Sequence, residues 1–146
     1  MNSILQQLYN VPTFRHSLLA ADDRQPVDEQ VDGRGVRVDN NSLHQWIKMF
    51  AFLQMTDRQE YNPVEFCFAF KEVNGNPTNV RVQQDAQEFL NLGFDRLEKS
   101  LKETPQKYLC ENVFQGKLTS LTVCKSCGNI VCTDEDFYTL QVTVKN

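Results

Sequence analysis

No apolar run in this 146-residue sequence approaches the ~20 residues that a membrane-spanning helix needs. The N-terminus has no basic stretch followed by a continuous apolar run, so it does not read as a signal peptide. A basic stripe is also missing. Net charge is -4, from 15 basic and 19 acidic residues, which argues against nucleic acid as the main partner. The histidines number two, His16 and His44, and both read as partly exposed helix residues. Five cysteines is an odd number. It suits a reducing compartment and metal binding better than a disulfide framework. The expected setting is therefore intracellular, cytoplasmic or nuclear, away from membranes. The length leaves room for one domain or part of a larger one, and 40% apolar with 23% charged residues is ordinary for a globular chain.

The most informative stretch runs from Val82 to Leu101. Apolar residues at Ala86, Phe89, Leu90, Phe94, Leu97 and Leu101 make one face of a helix. Gly93 sits on that stripe and is expected to let another element approach closely. Asp95 to Lys99 and Glu98 to Lys102 are acid-to-base pairs four residues apart, and Thr104-Pro105 is the expected stop. The first turn gathers Gln84, Asp85, Gln87 and Glu88. Two carboxylates and two amides at a helix N-terminus suit the helix dipole, and such a set can grip an extended peptide. A solvated polar first turn on an ordinary core helix has the same composition.

Residues 2 to 9 read as a short helix capped by Asn2 or Ser3, with Ile4, Leu5 and Leu8 inward. Pro12 ends it, and Thr13 to Ala20 reads as a second. Residues 21 to 41 hold Asp22, Asp23, Asp28, Glu29, Asp32, Gly33, Gly35, Asp39 and Asn40 with few large apolar residues, and are expected to form a mobile loop. Ser42 is the expected cap of an apolar helix from Leu43 to Met55. Asn62-Pro63-Val64-Glu65 reads as a cap, a first-position proline and a following acid. They open a short helix in which Cys67 is inert filling among aromatics. Asn74-Gly75-Asn76-Pro77 is a turn.

After Pro105 the pattern changes to strands. A phase switch near Thr119 and Ser120 suggests a bulge. Tyr138, Leu140, Val142 and Val144 alternate with polar residues and predict a half-buried strand. Two strands are marginal by themselves, so the chain is expected to belong to a larger sheet. Between them lies Cys124-Lys125-Ser126-Cys127-Gly128, which has zinc-knuckle spacing with a glycine after the second thiol. Two of the four ligands a structural zinc needs are present. Cys110 and Cys132 would complete a local site less naturally than free thiols at a hairpin tip would explain the motif.

Gln-Gln-Asp-Ala-Gln-Glu-Phe, at residues 83 to 89, resembles the second signature box of the ubiquitin-specific proteases, papain-like cysteine deubiquitinases. Met1-Asn2-Ser3-Ile4-Leu5-Gln6-Gln7-Leu8 resembles the continuation of that family's first box. The strand, Cys-x-x-Cys and second strand resemble its fingers region. The resemblance implies an α+β, papain-like cysteine protease fold. It implies a helical thumb at 1–110, including the 21–41 loop, and the start of the β fingers at 111–146, so an incomplete domain. It implies hydrolysis of the bond after ubiquitin's C-terminal glycine, with Asp85, Gln87 and Glu88 on the ubiquitin tail and Asp85 paired to a tail arginine. The family's nucleophilic cysteine would stand two positions before Met1 and its catalytic histidine beyond Asn146. The chain alone is then expected to be inactive. The resemblance also implies ubiquitin and ubiquitinated proteins as partners and no cofactor for catalysis. A structural zinc in the full-length protein would be half-supplied by Cys124 and Cys127. Two other readings stay open: a non-catalytic ubiquitin-binding module, and a zinc-dependent adaptor.

Overall fold

A computed structural model describes residues 1–21, 29–31, 35, 37–58, 60–72, 75–79, 81–83 and 85–143. Asp22, Asp23, Asp28, Asp32, Gly33, Asn74, Gln84 and Val144, all weighed above, lie outside the described residues. The fold is α+β, with helices first and an antiparallel hairpin after them.

Helix α1 is Asn2–Tyr9 and buries Leu5 and Leu8. Its cap position is Met1, with no side-chain bond, so neither Asn2 nor Ser3 caps it. Helix α2, Pro12–Leu19, opens on the proline expected to close its predecessor. A proline lacks only an N–H that the first helical turn leaves unpaired anyway. Strands β1 (Glu29–Val31) and β2 (Arg37–Asp39) pair antiparallel inside the stretch expected to be all loop. The exposed β1 and its short backbone ladder leave no hydrophobic alternation to read.

Helix α3, Ser42–Met55, is capped by Asn41 rather than Ser42: Asn41 Oδ1 accepts from the amides of Leu43 and His44 at 3.0 and 3.4 Å. It buries Leu43, Trp46, Met49 and Phe50. In α4, Val64–Ala69, Pro63 takes the cap position, and Asn62 reaches past it to the Val64 amide at 3.3 Å. Helix α5, Ala86–Leu101, follows the expected stripe at Phe89, Phe94, Leu97 and Leu101, while Ala86 is exposed. Lys99 meets Asp95 at 2.7 Å. Glu98 does not pair with Lys102 but accepts a hydrogen bond from the Tyr138 hydroxyl. A Cβ at Gly93 would lie 3.7 Å from Trp46, an ordinary van der Waals distance, so the approach there does not demand glycine.

A sixth helix, α6, Leu109–Phe114, occupies residues expected to lead into strand. It buries Leu109 and Cys110 against the core. Aromatic rings tie the helices together. Trp46 meets Phe50 and Phe66 edge-on at 5.7 and 5.0 Å, and Phe14 reaches Phe50 at 6.1 Å and Phe114 at 5.2 Å. Such contacts add about 0.5–1.5 kcal/mol each beyond their area burial.

Strands β3 (Gly116–Val123) and β4 (Ile130–Phe137) pair in unbroken register from Gly116↔Phe137 to Val123↔Ile130. There is no bulge at Thr119 or Ser120. Nor is the second strand at 138–144, where the described residues carry no ladder and Leu140 and Val142 are exposed. The turn sets the register: Cys124 N–H donates to Asn129 O at 2.9 Å, and Gly128 N–H to Cys124 O at 2.8 Å. Gly128 has φ 68°, a left-handed conformation that glycine takes without strain. At the base, the Phe137 ring covers Gly116, where a Cβ would stand 2.5 Å from it.

Candidate functional site

Two stretches far apart in sequence meet at one place. The N-terminal end of α1, with Met1, Asn2 and Ser3, faces Val82, Gln83 and Ala86 across a cleft of ≈ 430 Å³. The second wall is held by bonds rather than by regular structure. Thr78, buried, donates its amide to Cys67 O at 3.1 Å and its hydroxyl to Phe70 O. Asn79 Oδ1 accepts from the Arg81 amide at 3.0 Å, a side-chain-closed turn. The chain leaves this turn at Asp85, the first residue of the α5 terminus.

Asp85 is the cap of α5. Its Oδ1 accepts from the amides of Gln87 at 2.7 Å and Glu88 at 3.0 Å. Both bonds fall on one oxygen, so Oδ2 keeps no partner among the described residues. Asp85, Gln87, Glu88, Asn91, Leu92 and Asp95 then line an open groove along the helix. Asp85, Gln87 and Glu88, singled out from sequence, thus lie together. Carboxylates there are favoured by the helix dipole, and the groove presents acceptors for a cationic or amide-rich ligand. Gln87 has a further partner that sequence reasoning missed: Gln141 Nε2 donates to Gln87 Oε1 at 3.1 Å. The two are 54 residues apart, and no local pattern signals the contact.

The cysteines separate into two kinds. Cys67 and Cys110 are buried, and Cys124, Cys127 and Cys132 are exposed. Burial pushes the Cys67 thiol up. Burial, then the charges of Glu98 and Glu111, push Cys110 up to about 12. Neither is a ready thiolate. Cys124 is lowered, chiefly by the Cys127 backbone amide and next by the Cys127 side chain. A structural zinc takes four thiolate or imidazole ligands. Cys124 and Cys127 fit two of those places by exposure and spacing. Cys110 is in the core, and no group of three metal-ligating side chains is gathered among the described residues. His16 is exposed, and His44 binds Asp39 through Nδ1 at 2.5 Å. No cysteine or histidine is among the described residues lining the cleft. No helix of the described residues is long and apolar enough to cross a membrane.

Fold and site define an α+β domain in which two helix N-termini flank a cleft, with an acid-edged groove running along the second helix. The family model for ubiquitin carboxyl-terminal hydrolase matches residues 1–145, and the chain belongs to that family. It is 32% identical to ubiquitin carboxyl-terminal hydrolase puf of Drosophila melanogaster over 145 residues, 99% of this chain and 3% of the fly protein. It is 32% identical to human ubiquitin carboxyl-terminal hydrolase 24 over 99% of this chain and 5% of that protein. Against human ubiquitin carboxyl-terminal hydrolase 40 the identity is 31%, over 100% of this chain and 12% of that protein. The chain thus spans a small part of the length of these relatives.

Proposed function

We propose that this chain is the ubiquitin-tail-binding part of a ubiquitin-specific cysteine protease, which hydrolyses the bond after ubiquitin's C-terminal glycine. The observation that carries this reading is the cleft between Met1–Ser3 and the residues Val82, Gln83 and Ala86, where two signature stretches converge. In this reading residues 1–110 are the thumb and 111–146 begin the fingers. Asp85 Oδ2 pairs with an arginine of the tail, a charge-assisted contact. Gln87 and Glu88 hold the extended backbone. The nucleophile stands two positions before Met1, at the N-terminal end of α1, where dipole and amides favour a thiolate. A histidine beyond Asn146 serves as base and then acid. Catalysis needs no cofactor. Cys124 and Cys127 supply half the ligands of a structural zinc in the full-length protein, whose partners are ubiquitin and ubiquitinated proteins inside the cell, in cytoplasm or nucleus.

With neither cysteine nor histidine among the described residues lining the cleft, the chain by itself binds ubiquitin without cleaving it. The same fact favours a second reading, a ubiquitin-binding module with no catalytic role. A titration with ubiquitin tests the site. Asp85→Asn keeps the helix cap, since Asn caps as well as Asp, but removes the charge. It is expected to weaken binding by roughly 1–3 kcal/mol. Unchanged binding would remove Asp85 from the site. A ubiquitin bearing a C-terminal electrophile is expected to leave the chain unlabelled, and labelling at Cys67 or Cys110 would show the nucleophile to be misplaced.

A further inference from the structure

The segment after β4 runs back along α5. Tyr138 packs its ring edge-on against Phe94 at 5.2 Å, and its hydroxyl donates to Glu98. Gln141 then reaches Gln87 near the other end of the helix. Gln87 and Glu98 are three helical turns apart on one face, ~16 Å by the helical rise. An extended Tyr138–Gln141 segment covers ~10 Å of that, and its two end side chains close the rest. This strap is pinned at one end by an aromatic contact and at the other by one amide pair.

The amide pair fixes an orientation. Gln87 Oε1 is occupied as an acceptor, so its NH₂ is the end left to the groove that Gln87 lines with Asp85 and Glu88. The rest of the groove's polar edge is mostly acceptor, the carboxylates of Asp85, Glu88 and Asp95, with Asn91 the other amide. An extended peptide presents carbonyl oxygens as well as amides, and the carbonyls need a donor. From this geometry we infer that Gln141 is a positioning residue. It locks the Gln87 side chain with its donor end toward the groove, to take a backbone carbonyl of the bound peptide. The inference rests on the ubiquitin-tail reading above.

The test uses the intact chain, ubiquitin as probe, and two variants at exposed Gln141. Gln141→Ala frees the Gln87 amide and is expected to weaken binding roughly fivefold, the scale of one net hydrogen bond. Gln141→Glu cannot donate. It turns the Gln87 NH₂ toward itself and leaves an acceptor facing the peptide carbonyl, so it is expected to weaken binding more, roughly tenfold or beyond. A merely structural Gln141 would not rank the isosteric variant below alanine. Side-chain amide NMR reads the contact without ubiquitin. In wild type one Gln141 amide proton is expected downfield and protected. In Gln141→Glu that signature moves to Gln87. Its absence in wild type overturns the inference. If Asp85→Asn weakens binding while both Gln141 variants bind like wild type, the inference falls and the tail reading stands. If the wild-type chain does not bind ubiquitin, the tail reading falls and takes the inference with it.

Discussion

In the helical body Phe14, Leu18, Phe50 and Leu101 have no exposed surface, whereas every residue from Lys117 to Asp136 of the hairpin is exposed. The body's fold is decided by burial. Its helices present apolar stripes, and the stripes meet in one core. The hairpin's fold is decided by its backbone ladder, its turn and the Phe137 ring over Gly116, with Tyr138 on Phe94 as an attachment to the body. A substitution should therefore be felt very differently in the two regions, and the candidate site lies at the edge of the first, reached by a strap from the second.

The largest effect should come from the body. Phe50→Ala removes a ring at the centre of the aromatic network and is expected to cost about 3–5 kcal/mol of unfolding free energy. A loss under about 1 kcal/mol in a denaturant titration would break the comparison. Alkaline pH gives the next effect. The Cys110 thiol sits at about 12 in the folded chain against an ordinary 9.0. Above pH 9 the unfolded chain releases this proton and the folded chain keeps it. The stabilising contribution is thus whole below pH 9 and is lost as pH rises toward 12, at up to about 1.4 kcal/mol per pH unit. Cys110→Ala is expected to flatten that slope in melts at stepped pH. A third effect belongs to the site's own helix. Asp85→Ala is expected to cost about 1 kcal/mol as a lost cap, and Asp85→Asn close to nothing. Equal losses from both would mean that charge, not capping, holds the α5 terminus. The smallest effect belongs to the hairpin. Leu121→Ser, on an exposed strand position, is expected to change stability by less than about 0.5 kcal/mol, and a loss of core-like size would show that a buried face has been overlooked.

Legibility in the sequence followed the same division. Helices α1, α3 and α5 could be read to within a few residues because burial imprints a 3.6-residue period. The caps were legible in kind but misplaced by one residue at Ser42, since Asn41 beside it competes for the same amides with a longer reach. Helix α6 is too short, at 6 residues, to print a period, and it falls in the stretch after Pro105 that reads as strand. In the hairpin no face is buried, so alternation misleads. The clean pattern from Tyr138 onward is not a strand, and the weaker run 130–137 is, because the turn at Cys124 to Asn129 dictates the register. Of the site, Asp85, Gln87 and Glu88 were legible as one helical turn. That Met1 to Ser3 face Val82, Gln83 and Ala86, and that Gln141 meets Gln87, are long-range contacts with no imprint on local pattern.

Mapping backbone amide shifts of the chain on titration with ubiquitin tests the central claim most directly. The account predicts that the moving signals centre on residues 1–3, on Val82 and Gln83, and on the first turns of α5 from Asp85 to Asn91. Saturable binding that moved only signals elsewhere, on the outer face of α3 for example, would contradict it.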